Sequence, residues 1–390
     1  MSKLEELIQQ YCPDGVEYVR LGDVLSVNRG KRLTKTQLSD DGKYFVYHGS
    51  KDTPLGKYSR FNVKGNTTIV VNTGGIGGVK FCADDFWCSD GSFWIGHSAL
   101  LNDKYVYYYL SPKESYFASQ KRVGGVPTID RSTVENVEIP LPPLPVQEEI
   151  VRILDNFTEL QAELQAELQK RKQQYNYYLD NLLNFKNINR GGQEIKWMKM
   201  SEICIKISSG GTPSRGNSDY FNGDIPWLRT QEVNRNDIYD TEIKITKEAI
   251  NKSAAKLIPK NCVIIAMYGA TAGKTCINKI PLTTNQACCN LQIDANAASY
   301  KYVYYCVCND YEKIKSLGQG SQHNINAQII KDYIIPVPPL AEQNRIVAIL
   351  DRFDTLTTDL TQGLPAEIEK RRQQYEFYRD KLLTFKRKEA

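Results

Sequence analysis

The sequence predicts an α+β protein: two mixed α/β domains joined by two long antiparallel coiled-coil helices, arranged as a tandem pseudo-repeat. Three observations predict it. First, the chain is written twice. Ile139–Asp155 (IPLPPLPVQEEIVRILD) returns as Ile335–Asp351 (IPVPPLAEQNRIVAILD), and Arg171–Tyr175 (RKQQY) returns as Arg371–Tyr375 (RRQQY). Ordered matches over so many segments mark an internal duplication. Second, each copy closes on a long stripe of apolar residues at helical spacing. Third, each copy opens on short apolar runs that end in glycine-rich turns, the pattern of strands. The 390 residues therefore divide into a first globular domain (1–144), a first helix (145–190), a second globular domain (191–340) and a second helix (341–390).

Taken in order, Val19–Val24 and Met198–Ile203 read as matching short strands. Thr68–Asn72 and Val263–Tyr268 read as buried strands, each running into a turn, Thr73–Gly78 and Gly269–Gly273. Lys104–Gln120 and Lys301–Gly318 are aromatic-rich amphipathic helices. The first long helix begins with Pro145, whose missing N–H costs nothing in a first turn, and with Glu148 and Glu149 at its positive end. Ile150, Leu154, Phe157, Leu164, Tyr175 and Leu182 carry its stripe. About forty residues at about 1.5 Å each give a rod of about 60 Å. The second helix repeats the stripe with Ile346, Leu350, Phe353, Tyr375 and Leu382, but Gly363-Leu364-Pro365 interrupts it, so a break is expected near 363–365. Single-striped helices of this length are not stable alone in water, so these residues are candidates to pack on each other or on a partner subunit.

The composition is that of an ordinary globular protein, 41% hydrophobic and 24% charged, with a formal net charge of +5. The basic excess lies mainly in 191–340. No segment is apolar over the length of a membrane span, and Met1–Gln10 lacks the apolar centre of a signal peptide. Ten cysteines without a Cys-x-x-Cys pair read as reduced thiols of a cytoplasmic protein rather than a disulfide framework or a metal site.

No catalytic constellation is legible. Gly269–Thr275 (GATAGKT) is one residue short of a phosphate-binding loop, and Gly74–Gly78 (GGIGG) fails the dinucleotide fingerprint at Lys80. The Pro142-Pro143 and Pro338-Pro339 pairs are flanked by apolar residues, which suits stiff joints rather than an amino-methyltransferase motif. Asp240, Glu242 and Lys244 have no counterpart in copy one, so a nuclease reading has no support. His48, His97 and His323 have no neighbouring triad partners in sequence. Binding chemistry is better represented. Copy one offers Lys31, Arg32, Lys35, Lys51, Arg60, Lys121 and Arg122. Copy two offers Arg215, Arg229, Gln231 and Arg235, then Gln322, His323 and Asn324. Arginine and lysine neutralise phosphates, and arginine, glutamine and asparagine pair with base edges in bidentate geometry.

The paired boundary segments, the RKQQY and RRQQY helices ending in Leu-Leu-x-Phe, and the opening Cys12–Tyr18 (CPDGVEY) together resemble the DNA specificity subunits of type I restriction–modification systems. The resemblance covers essentially the whole chain. It implies a non-catalytic subunit whose two heads are target-recognition domains, each reading one half of a split double-stranded DNA site. It also implies helices that fix the half-site spacing and dock two modification (methyltransferase) subunits, where S-adenosylmethionine is expected. No cofactor or metal is then expected in this chain, and restriction/translocase subunits are further partners. Two other classes stay open on the residues alone: a stand-alone bivalent DNA-acting enzyme, and a protein-binding coiled-coil adaptor.

Overall fold

A computed structural model describes residues 2–122, 125–185, 195–318, 324–359 and 361–389. The chain forms two compact units. Unit 1 is Met1–Gln165 with Glu367–Ala390, and unit 2 is Ala166–Ala366. Each unit thus holds one head, the near half of that head's own helix and the far half of the other helix.

The strands of head 1 are β1 (Tyr18–Arg20), β2 (Val27–Arg29), β3 (Tyr44–Tyr47), β4 (Gly56–Tyr58), β5 (Thr67–Val71), β6 (Val79–Cys82), β7 (Trp87–Cys88), β8 (Ser92–Ile95) and β9 (Glu138–Pro140). They form a sheet in the order β2-β8-β5-β6, a smaller sheet β4-β3-β7, and the pair β1-β9. Head 2 repeats the plan. Its strands are β10 (Lys196–Lys199), β11 (Cys204–Ser209), β12 (Ile225–Leu228), β13 (Asn236–Ile238), β14 (Lys244–Ile245), β15 (Val263–Ala266), β16 (Thr275–Asn278), β17 (Thr283–Thr284), β18 (Cys288–Ile293) and β19 (Ile334–Val337). Their orders are β11-β18-β15-β16-β13, β14-β12-β17 and β10-β19. The central strands β5 and β15 are buried throughout, as expected for apolar runs covered on both faces. Each turns back antiparallel into the next strand, so both glycine-rich segments are hairpin turns.

Two expectations need correction. Val19–Val24 and Met198–Ile203 are not continuous strands. Each is a strand followed by one helical turn, Leu21–Val24 and Met200–Ile203. Leu21 N–H turns to the Val137 carbonyl and Met200 N–H to the Tyr333 carbonyl, which ends the ladder and buries Leu21, Met200 and Ile203. The aromatic helix of copy one is also divided, into Asp103–Leu110 and Glu114–Ser119, by a 3-10 turn carrying Pro112. Its counterpart divides into Tyr300–Asn309 and Tyr311–Ser316.

The first long helix runs unbroken from Leu144 to Leu183. The second runs Leu340–Thr358, then Leu364–Leu382. Between them the Asp359 carboxylate accepts from the N–H groups of Thr361 and Gln362. A Cβ on Gly363 would come within 2.4 Å of the Thr355 carbonyl oxygen. Pro365 does not itself break a helix; it lies in the first turn of the next one, where it is tolerated.

The same joint fastens head to helix in both units. Gln147 is fully buried, accepts from Asn102 N–H (2.8 Å) and donates to the Pro142 carbonyl (2.7 Å). Gln343 does the same with Ser299 N–H (2.8 Å) and the Pro338 carbonyl (2.7 Å). Asp155 is held by Lys104 and by Tyr108 OH, and Asp351 by Lys301 and Tyr305 OH. Leaving such buried groups unpaired costs about 1–3 kcal/mol each, so the helix leaves each head in a fixed direction.

Candidate nucleic-acid interface

Strand directions gather one set of loops at one end of each head. In head 1 these are the segments after β2, β3 and β5, the β7–β8 turn, and residues 121–122 and 125–130. Backbone bonds knit them: Lys31 N–H to Cys88 O, Asn72 N–H to Gly91 O, Gly75 N–H to Gly49 O, and Ile129 N–H to Asn72 O. The corresponding end of head 2 is knitted in the same way by Asn285 N–H to Leu228 O, Met267 N–H to Ala287 O, and Ile325 N–H to Met267 O.

Of the candidates in head 1, Lys31, Arg32 and Lys121 are exposed at or beside this cluster. Among the described residues their side chains make no hydrogen bond or ion pair, so they are available to phosphate. Arg122 is exposed there too, but pairs with Asp130. Lys51 is near the cluster yet engaged: its ammonium meets both oxygens of Glu114 at 2.7 Å, and that carboxylate raises its pKa. Lys35 is exposed on a 3-10 turn whose next residue, Leu38, lies beside Gly56. Arg60 follows β4, and Tyr58 of β4 pairs with the first residue of β3. That strand direction places Arg60 toward the opposite end, so the structure does not bring it to the others.

In head 2, Arg215 and Gln231 are exposed on the loops at the corresponding end. Arg229 is not free: it is bound by Glu242 and lies 3.7 Å from Glu232. Arg235 is exposed but engaged, donating to the Cys308 carbonyl (3.1 Å) with its guanidinium over the Tyr311 ring. Asn324 Oδ1 accepts from Gly269 N–H (3.4 Å) and so holds the hairpin turn. Gln322 and His323 lie outside the described residues. Lys244 pairs with Asp240 and Glu242 with Arg229, so the acidic group dismissed as a nuclease pattern is engaged in ion pairs.

The structure supplies neighbours that the sequence did not reveal for two histidines. His48 Nδ1 lies 3.2 Å from Ser89 Oγ and 3.3 Å from Asp90 Oδ1. Both meet the same ring nitrogen, so this is no proton relay of the triad kind. His97 lies between Asp103 and Thr67, but Thr67 is buried and its hydroxyl donates to the Lys64 carbonyl. Neither set presents a nucleophile. All ten cysteines are free thiols, and burial pushes those of Cys82, Cys204 and Cys262 up to about 12.

The apolar stripes are spent inside the chain, which is the first of the two packings expected for them. Ile150 and Leu154 belong to the core of unit 1, and Tyr375 and Leu382 pack against that core. Phe157 stacks on Tyr378 at 5.6 Å, and Leu164 is half-buried. Leu182, Ile346 and Leu350 belong to the core of unit 2, where Phe353 stacks on Tyr175 and Tyr178. The outer faces carry a second aromatic repeat that lies outside the apolar stripes: Tyr177 and Phe377, 64% and 63% exposed. Among the described residues no helix is long and apolar enough to cross a membrane, and no group of three or more metal-ligating side chains is present.

The chain matches the type I restriction modification DNA specificity domain twice, over residues 13–173 and 192–370. It is 40% identical over 301 residues to the specificity subunit of the Escherichia coli type I restriction enzyme EcoR124I/EcoR124II, covering 74% of this chain and 72% of that one. It is 29% identical over 396 residues to a putative type I specificity subunit of Haemophilus influenzae, covering 95% and 96%. Among solved structures, the type I S subunit from M. genitalium superposes with a TM-score of 0.62 at 16% identity, covering 95% and 96%. The HsdS subunit from Thermoanaerobacter tengcongensis superposes at 0.51 and 18%, covering 96% and 97%. The chain belongs to the type I restriction–modification DNA specificity family, whose members are the non-catalytic, DNA-recognising subunits of these systems.

Proposed function

We propose that each head reads one half of a bipartite duplex target, and that the helices fix the number of unread base pairs between the halves. The observation that carries this reading is the repetition of one design. Two heads of like topology present corresponding loop clusters, and each is latched by a buried glutamine to its own helix. Lys31, Arg32 and Lys121 in head 1, and Arg215 with Gln231 in head 2, serve as contacts to phosphate or base. Two modification subunits dock on the outer helix faces, with Tyr177 and Phe377 as equivalent aromatic anchors. They bring S-adenosylmethionine and methylate the target, while restriction/translocase subunits act on the same complex. Meeting host DNA, the assembly works in the cytoplasm.

Methylome sequencing of a host that carries this chain with its modification partner tests the reading. The wild type is expected to give a split methylation motif, and the R215A/Q231A double variant is expected to relax one half of it only. A contiguous motif, or equal relaxation of both halves, would overturn independent reading by two heads.

A further inference from the structure

One position is shared by the two heads yet filled differently. In head 1, β3 pairs parallel with β7 at Tyr47 and Cys88, and the next residue is His48. In head 2, β12 pairs parallel with β17 at Leu228 and Thr284, and the next residue is Arg229. The crossing bond beside it is also the same: Ser89 N–H to Tyr47 O, and Asn285 N–H to Leu228 O. Each head therefore sets a nitrogen-bearing side chain at the same point of its loop cluster with carboxylate beside it, Asp90 in one, Glu232 and Glu242 in the other.

His48 is set with care. Gly91 N–H points at its Nδ1 at 3.2 Å; with Nδ1 as that acceptor the neutral ring carries its proton on Nε2, and Asp90 Oδ1, 3.3 Å from Nδ1, is held by Ser89 Oγ instead. A Cβ on residue 91 would fall 2.7 Å from Nδ1, so only glycine allows this seat. The side chain is 37% exposed, and among the described residues Nε2 meets no partner.

We infer that His48 is a specificity-determining residue of head 1, its Nε2–H donating to a hydrogen-bond acceptor on a base edge. This rests on the DNA-reading function proposed above. A phosphate is the poorer match, because the Asp90 carboxylate beside the ring repels it, while exposed lysine and arginine already serve that role. A single oriented donor distinguishes an acceptor edge from a donor edge.

Two variants separate the two ring nitrogens. H48N keeps an acceptor for Gly91 N–H and removes the outward donor; H48Q keeps an outward N–H and gives up the inner acceptor. Each is expressed as the full chain with its modification partner, and the methylation motif is read genome-wide together with affinity for the cognate duplex. The expected result is that H48N relaxes one base pair of one half-site and weakens cognate binding about tenfold, while H48Q keeps that base pair. The reverse ranking means that His48 merely seats Gly91, and uniform weakening with an unchanged motif means a phosphate contact. Either result, equal effects of both variants, or no effect of either overturns the assignment. A wild-type complex that fails to methylate a split motif would instead sink the DNA-reading function itself.

Discussion

Glu149 shows how much the surroundings of one side chain decide. It is buried, and Arg152 and Lys3 hold its carboxyl down at about 2, against an ordinary value of 4.5. A depressed carboxylate stabilises the folded state above its unfolded value and loses that stabilisation as pH falls. Resistance to urea should therefore drop between pH 4.5 and pH 2, and E149Q should flatten that dependence; equal slopes would show that the pair contributes nothing. Glu149 was legible as a helix-start acid, but its pairing with Lys3 was not, because Lys3 lies 146 residues away. The same reason explains why several binding candidates are engaged within the chain. Arg229, Lys51 and Arg235 look free in sequence, yet their partners lie 13, 63 and 73 residues away. Long-range pairing decides which cations remain available, and local pattern does not record it.

At the scale of elements the sequence was more informative. Helical periodicity located the rod from Leu144 to Leu183, and apolar runs located β5 and β15, because both signals are local. The short helical turns after β1 and β10 were missed because four residues carry too little periodicity to separate a turn from a strand. The break in the second helix was legible through Gly363 and Pro365, though it is the Asp359 side chain that caps the turn. If the rod acts as a ruler, seven residues inserted within 160–170 lengthen it by about 10 Å while nearly preserving its facing. The unread gap should grow by about three base pairs, at about 3.4 Å each, with both half-site sequences kept. Methylome sequencing that returns the original gap would refute the ruler.

At the scale of the molecule, the mild net charge conceals a division of labour between heads and helices, and the duplication revealed the architecture before any single motif did. What the repeat did not disclose is that unit 1 draws on both ends of the described chain. Leu383 lies in one core with Leu4, Val16 and Ile150, and Val16 exchanges backbone bonds with Lys386 and Lys388. L383A should therefore destabilise unit 1 by roughly 2–5 kcal/mol. Hydrogen exchange should quicken in β1 and β9 while unit 2 keeps its protection; equal acceleration in both units would contradict the division.

This closure also sets an order of events on the ribosome. Unit 2 is contiguous and can complete itself as soon as Ala366 has emerged. Unit 1 is translated first, yet it lacks its final layer until residues 367–389 follow. Counted from Gln165, where the first part of unit 1 ends, that delay is on the order of ten to forty seconds at about 5–20 residues per second. The head made first is thus the one sealed last, and during that interval its unfinished apolar face is the part of the nascent chain most in need of shelter.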